Sequence, residues 1–247
     1  MIYKETERID NIGFSDLRLI QQPEDFCYGV DAVILADFAA QCRPDTAIDL
    51  GTGTGIIPII LSHKTKASKI IGVEVQKRSF DMACRNAEIN NLQDRVSFIH
   101  GDVSDEKLIK ELKQADGVDL VCSNPPYMIG NGALTNKNPA KTIARHETTA
   151  GIEDFIKAAA TLLKDKGHFY MVHRPSRLVD IMYFTRKYKL EPKELRFVCP
   201  KAEESPNILL IHCVKNGGAE LKILNSLYVY NDEGGYTDEI NRIYERI

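Results

Sequence analysis

Thr46-Ala47-Ile48-Asp49-Leu50-Gly51-Thr52-Gly53-Thr54-Gly55 is the stretch on which the reading of this chain turns. An apolar run of strand length ends at a glycine-rich turn. Beyond it, residues 56–62 form an apolar, helix-compatible segment with Pro58 in its first turn. A strand, a glycine turn and a helix open a βαβ unit, and in parallel sheets ligands bind at such strand ends.

The same alternation continues downstream. Strand patterns fall at 69–75, 96–100, 118–122 and 167–172, and helical patterns at 78–90, 107–112, 152–163 and 177–188. In the helix at 78–90, Phe80, Ala83, Ala87 and Cys84 share one side. Strands at 195–199 and 208–214 follow with no helix between them. The order predicts an α/β, Rossmann-like, seven-stranded and mostly parallel sheet with one antiparallel strand. Residues 1–45, with two weak strand patterns and a helix near 31–41, read as a short N-terminal cover over the ligand edge. Residues 46–215 form the core and 216–247 a packed tail rich in tyrosine, all within one domain.

Composition narrows the classes. The chain has 247 residues, 43% of them hydrophobic, which excludes intrinsic disorder. No apolar run is long enough for a membrane span, and the polar, charged start predicts no secretory signal, hence a cytoplasmic protein. The six cysteines contain no CxxC pair, so they read as small buried hydrophobes, and no metal site is expected. The net charge is -3, but it is segregated. Residues 137–201 carry fourteen basic and seven acidic side chains, whereas residues 1–50 carry four and ten.

The turn has GxGxG spacing rather than the GxGxxG of dinucleotide sites. Gly51, Gly53 and Gly55 allow close backbone approach. Three acids stand at successive strand ends. Glu74, twenty-three residues after Gly51, suits the two hydroxyls of a ribose. Asp102, followed by Val103, is placed for the exocyclic amine of an adenine. Asp49 precedes the glycines, where a carboxylate would meet an ammonium. Ribose, adenine and an ammonium describe S-adenosylmethionine better than NAD.

Asn124-Pro125-Pro126-Tyr127 follows the fourth strand of the parallel series. Two prolines force a rigid, extended exit from the sheet. The Asn124 side-chain oxygen and the Pro125 carbonyl then converge as two acceptors, which suits a planar NH2 group. Accepting from both amine protons favours pyramidalisation and frees the nitrogen lone pair, a preorganised electrostatic effect. Tyr127 offers a flat face for a base.

These residues resemble the class I S-adenosylmethionine-dependent methyltransferases that modify planar amino groups. Phe26-Cys27-Tyr28-Gly29-Val30-Asp31-Ala32, Ala144-Arg145-His146-Glu147 and His173-Arg174-Pro175 extend the likeness. Together they resemble the bacterial valine-tRNA adenine-N6 methyltransferase family, which modifies the adenosine beside the anticodon. The segment at 144–147 departs from gamma-proteobacterial members and agrees better with Gram-positive ones. The resemblance implies the class I methyltransferase fold, catalysis by Asn124, Pro125 and Tyr127, and cofactor contacts from Tyr28, Asp31 and Asn124 besides those above. It implies an RNA partner, most simply tRNA; the sequence leaves the oligomeric state open, with a monomer slightly favoured. The basic segment supplies Lys137, Lys141, Arg145, Arg174 and Arg177 as RNA contacts. His146 and His173 are expected to be structural or RNA-facing, since N-methylation needs no base. A protein glutamine or a small molecule remain alternative acceptors. Glutamine enzymes carry a helical domain ahead of the fold, for which 45 residues leave little room.

Overall fold

The computed structural model describes residues 3–24, 27–113, 116–127 and 150–247. Seven long strands make the main sheet: β3 (Thr46–Leu50), β4 (Lys69–Glu74), β5 (Val96–His100), β6 (Val118–Ser123), β7 (Leu163–His173), β8 (Leu190–Cys199) and β9 (Ile208–Lys215). Their spatial order is β5-β4-β3-β6-β7-β9-β8, and β9 alone runs against its neighbours. Two-residue strands β10 (Lys222–Ile223) and β11 (Leu227–Tyr228) add to the free edge of β8, which the sequence reading left as tail. Strand order reverses between β3 and β6, so the crevice of the fold opens between their carboxyl ends.

The strands are apolar because both faces are covered. Ala47, Ile70, Leu120, Tyr170 and Val172 belong to one core. Their neighbours Ile48, Ile71, Val121, Phe169 and Met171 belong to the other, as period-two alternation requires. Helices α1 (Val30–Ala40) and α2 (Ile56–Lys64) cover the first face. Helices α5 (Ile152–Leu162) and α6 (Leu178–Lys187) cover the second, with α4 (Glu106–Leu112) beside α5. The 3-10 turn Pro175–Arg177 leads into α6.

Two strands begin earlier than their patterns predict. β8 starts at Leu190 rather than 195 and runs through Pro192. Proline cannot donate to a ladder, and the register shifts between Pro192 and Glu194 to pass it. β7 starts at Leu163 rather than 167, and its first residues pair across an irregularity between Val118 and Leu120.

The N-terminal hairpin, β1 (Arg8–Gly13) and β2 (Leu17–Gln21), packs on α3 (Lys77–Ile89). The buried face of α3 is Met82, Ala83, Asn86 and Ala87. Cys84 is exposed, contrary to its expected place among buried cysteines; Cys27 and Cys42 are half-buried, and Cys122, Cys199 and Cys213 are buried. The polar member of that inward face is Asn86. Fully buried, its Oδ1 accepts the Ile20 N–H at 2.6 Å, and its Nδ2 donates to Ile20 O at 3.2 Å and Thr54 O at 2.9 Å. One side chain thus ties β2 to the glycine turn. An Asn86→Leu substitution keeps the branching and heavy-atom count, in a somewhat larger side chain, and strands those backbone groups. We expect a loss of about 3 kcal/mol, read from the urea midpoint; an unchanged midpoint would show that the tie carries no stability.

A second anchor is Glu7. Its carboxylate accepts two N–H bonds from Arg85, at 2.6 and 2.8 Å, which hold its pKa down to about 2. The tail returns to the same side. In α7 (Asp238–Ile243), Ile240 and Ile243 are buried in the α1–α2 core. Tyr230, Tyr236, Tyr244 and Phe14 stack in series at centroid spacings of 5.6, 5.6 and 6.0 Å.

Candidate active site

The turn after β3 is built by its glycines. Gly51, Gly53 and Gly55 have φ of 72°, 57° and 84°, in the left-handed region. The N–H groups of Gly51 and Thr52 both donate to Val73 O, at 2.9 and 3.0 Å, which folds the turn back over β4. A Cβ at Gly55 would lie 2.7 Å from the Phe98 ring, and one at Gly51 3.0 Å from Phe155. At Gly53 nothing lies within 4 Å, so the turn presents bare backbone to open space there. Glu74, at the end of β4, accepts the Gly53 N–H on one oxygen and the Gln76 N–H on the other, both at 2.8 Å. Burial pushes its carboxyl up, against those bonds.

Asp49 is wholly buried, and neither carboxylate oxygen has a hydrogen-bond partner. Burial raises its pKa to about 7; the Thr52 hydroxyl beside it opposes the shift, and the Glu74 charge adds to it. That hydroxyl is also buried without a well-formed bond. A buried, unsatisfied carboxylate costs free energy that a cation would recover. The set of acceptors therefore fits a ligand bringing positive nitrogen to Asp49 and hydroxyls to Glu74.

β6 ends beside β3, and the Ser123 hydroxyl joins them by donating to Leu50 O at 3.0 Å. The Asn124–Tyr127 turn leaves from this junction, with Pro125 buried and Pro126 exposed. The Tyr127 hydroxyl lies 2.8 Å from Asn124 Oδ1 and 2.9 Å from Oδ2 of Asp31, in the first turn of α1. Burial, and then the Asp31 charge, push the phenol well above its ordinary pKa. The Arg174 guanidinium sits 4.8 Å over the Tyr127 ring, and the His173 ring is tilted against it at 5.1 Å. His173 is buried, which lowers its pKa to about 4 with help from the Arg177 charge. Its Nδ1 accepts the Arg174 N–H at 2.8 Å, so the neutral ring carries its proton on Nε2.

Other expected residues have further partners in the fold or lie outside the described residues. Asp102 holds an Asx turn, accepting the N–H and hydroxyl of Ser104 at 2.8 Å, and Val103 is buried beside it. Tyr28 is half-buried near Asp10, Tyr236 and Arg246, its N–H donating to Gln21 at 3.0 Å. Lys137, Lys141, Arg145 and His146 lie outside the described residues. Arg177 is paired with Asp180 at 2.7 Å. Other members of the basic segment are also paired within the fold: Lys187 with Glu153, Arg186 with Glu191 and Arg196 with Glu239. Four cations of this segment are thus held against carboxylates of the fold, three of which were already counted among its seven acids. The Asp31–Tyr127 contact and Asn86 went unread, because no local pattern pairs residues ninety-six or sixty-six positions apart.

Among the described residues, no cluster of His, Cys, Asp and Glu is arranged to hold a metal. No described helix is long and apolar enough to cross a membrane.

Comparison with known proteins identifies the family and the fold. The sequence signature of the methyltransferase small domain matches residues 19–181. The chain is 29% identical over 186 residues to a tRNA1(Val) (adenine(37)-N6)-methyltransferase of Porphyromonas gingivalis, covering 74% of this chain and 72% of the relative. It is 27% identical over 208 residues to the protein of the same name from Pedobacter heparinus, covering 84% and 85%. Among solved structures, a predicted O-methyltransferase, protein Atu636 of Agrobacterium tumefaciens, superposes with a TM-score of 0.70 at 19% identity, over 87% of this chain and 95% of that one. At that identity the likeness speaks for the fold. With the signature spanning both the glycine turn and the Asn124 turn, the chain belongs to the methyltransferase small domain family and is an S-adenosylmethionine-dependent methyltransferase.

Proposed function

We propose that the protein methylates the N6 amine of an adenine in RNA, most simply a tRNA adenosine near the anticodon. The observation that carries this reading is the Asn124–Tyr127 turn, fixed to the end of β3 through Ser123 and Leu50. It stands across the crevice from an orphaned Asp49 carboxylate and an open glycine turn. The relatives named tRNA1(Val) (adenine(37)-N6)-methyltransferase support the choice of substrate.

S-adenosylmethionine supplies an electrophilic methyl group. Asp49 receives the ammonium, Glu74 the ribose hydroxyls, and Asp102 with Val103 the adenine edge. Asn124 Oδ1 and the Pro125 carbonyl accept the two amine protons of the target base and pull its nitrogen out of conjugation. No side chain needs to act as base: the C–S bond breaks as the N–C bond forms, and the methylated nitrogen loses its proton to water afterwards, while the His173 Nδ1 lone pair is taken by the Arg174 N–H. Tyr127 supports the base, which takes the ring face over which Arg174 now lies, and Arg174 moves to the RNA backbone. Lys137, Lys141 and Arg145 follow the Asn124 turn in sequence and add phosphate contacts.

The test is labelled S-adenosylmethionine with total tRNA, followed by nucleoside mass spectrometry. Label in N6-methyladenosine of a single tRNA is expected. Label in protein alone would transfer the chemistry to glutamine and overturn the RNA reading.

A further inference from the structure

The Tyr127 hydroxyl has one proton and two neighbours that both accept. Asp31 Oδ2 is 2.9 Å away and Asn124 Oδ1 2.8 Å. A phenol donates to one of them only, and its oxygen lone pair held against a second acceptor at that distance is repulsive. Asp31 is the stronger acceptor, because hydrogen bonds to an ionised group are roughly twice as strong as neutral ones. It is buried, its other oxygen accepts the Ala32 N–H at 3.0 Å, and it lies in the first turn of α1, where the helix favours negative charge. The proton therefore goes to Asp31. The remaining contact becomes favourable once the Asn124 carboxamide presents its N–H to the phenol oxygen. Amide oxygen and nitrogen are nearly isosteric, so the hydrogen-bond partner decides which of them faces Tyr127.

We propose that Asp31 is a positioning residue: through the Tyr127 hydroxyl it sets the facing of the Asn124 carboxamide, turning the amide oxygen away from Tyr127 and toward the substrate amine. The proposal rests on the reading of Asn124 as acceptor of that amine. Without the Asp31 charge, the hydroxyl donates to the Asn124 oxygen instead. The amide then shows its own N–H groups to an incoming NH2, donor against donor. Selectivity for an amine is in this way set from the first turn of α1, which precedes the sheet in the chain.

Asp31→Asn keeps shape and reverses polarity, since the new amide can donate to the phenol oxygen. We expect kcat to fall by about 10²-fold. Cofactor affinity by calorimetry should stay within about twofold, a split that a merely structural role or a direct cofactor contact would not give. Tyr127→Phe removes the relay, so adding Asp31→Asn to it should cost nothing further. Multiplicative losses, or a loss of cofactor affinity matching the loss of rate, would overturn the proposal. A readout without turnover separates this from the choice of substrate. The Asn124 side-chain amide of 15N-labelled protein should be protected from exchange, and should lose protection in Tyr127→Phe and Asp31→Asn. An unprotected amide in the unaltered protein refutes the relay whatever the substrate. A protected amide without N6-methyladenosine in any RNA refutes only the substrate.

Discussion

Asp49→Asn is expected to stabilise the ligand-free protein and at the same time abolish its hold on the cofactor. Asp49 is buried without partners, and its pKa is about 7 against an ordinary value of 3.8. A raised carboxyl pKa means that the folded state disfavours the charge. The penalty is absent below about pH 4, where folded and unfolded chains are both protonated, grows as pH rises, and is complete above about 7. Three pH units correspond to roughly 4 kcal/mol, an upper figure for a site that relaxes and admits water. The variant should therefore melt higher than the parent at pH 8 and equally at pH 4. Cofactor affinity in the parent should rise from pH 6 to about 7.5, before the ligand's own α-amino group deprotonates. Binding at pH 6 should release a proton, seen as a buffer-dependent calorimetric enthalpy. In the variant the affinity should be low and flat over that range. Parent-like affinity in Asp49→Asn would place the ammonium elsewhere.

Asn124→Ala should lower the rate of the methyl-transfer step by about 10²-fold or more, equivalent to roughly 2.7 kcal/mol, while cofactor affinity persists. The acceptors matter because an aromatic amine is a weak nucleophile until its protons are held. Removing Asn124 leaves the Pro125 carbonyl, so residual activity should remain and be insensitive to the facing effects expected of Asp31. Single-turnover rates at saturating cofactor measure the step without product release. An unchanged rate would show that Asn124 does not receive the amine.

Much of this could be read from the chain because the deciding signals are local. The strand, the glycines with φ near 57–84° and the following helix are contiguous, as are Asn124 and its prolines. The alternation of Ile48 with Ala47, or Phe169 with Tyr170, repeats strand by strand and dictates two cores. What stayed hidden depends on distant partners. Asn86 reads as a surface polar residue until β2 is placed on it. The start of β8 was obscured by Pro192, whose cost vanishes only through a register shift seen from β9. The basic excess suggested a broad nucleic-acid face, yet Arg177, Arg186, Lys187 and Arg196 have carboxylates within the fold, three of them from other elements. Site roles were legible as residue types at strand ends, whereas the proton arrangement around Tyr127 needed α1 in position.

The tail stack offers an optical handle. The chain contains no tryptophan and ten tyrosines, so its ultraviolet emission comes from phenols without an indole to drain the excitation. Tyr236 and Tyr244 lie nearly parallel, with interplanar angles of 17–22° along the series from Tyr230, and Arg246 rests over both rings. Phenols coupled in this way give near-ultraviolet circular dichroism that isolated tyrosines lack. Because Phe14, Tyr236 and Tyr244 pack against the core that α1 and α2 cover, that signal reports on the docking of the tail. Tail docking can therefore be followed in the unlabelled protein, through its own chromophores.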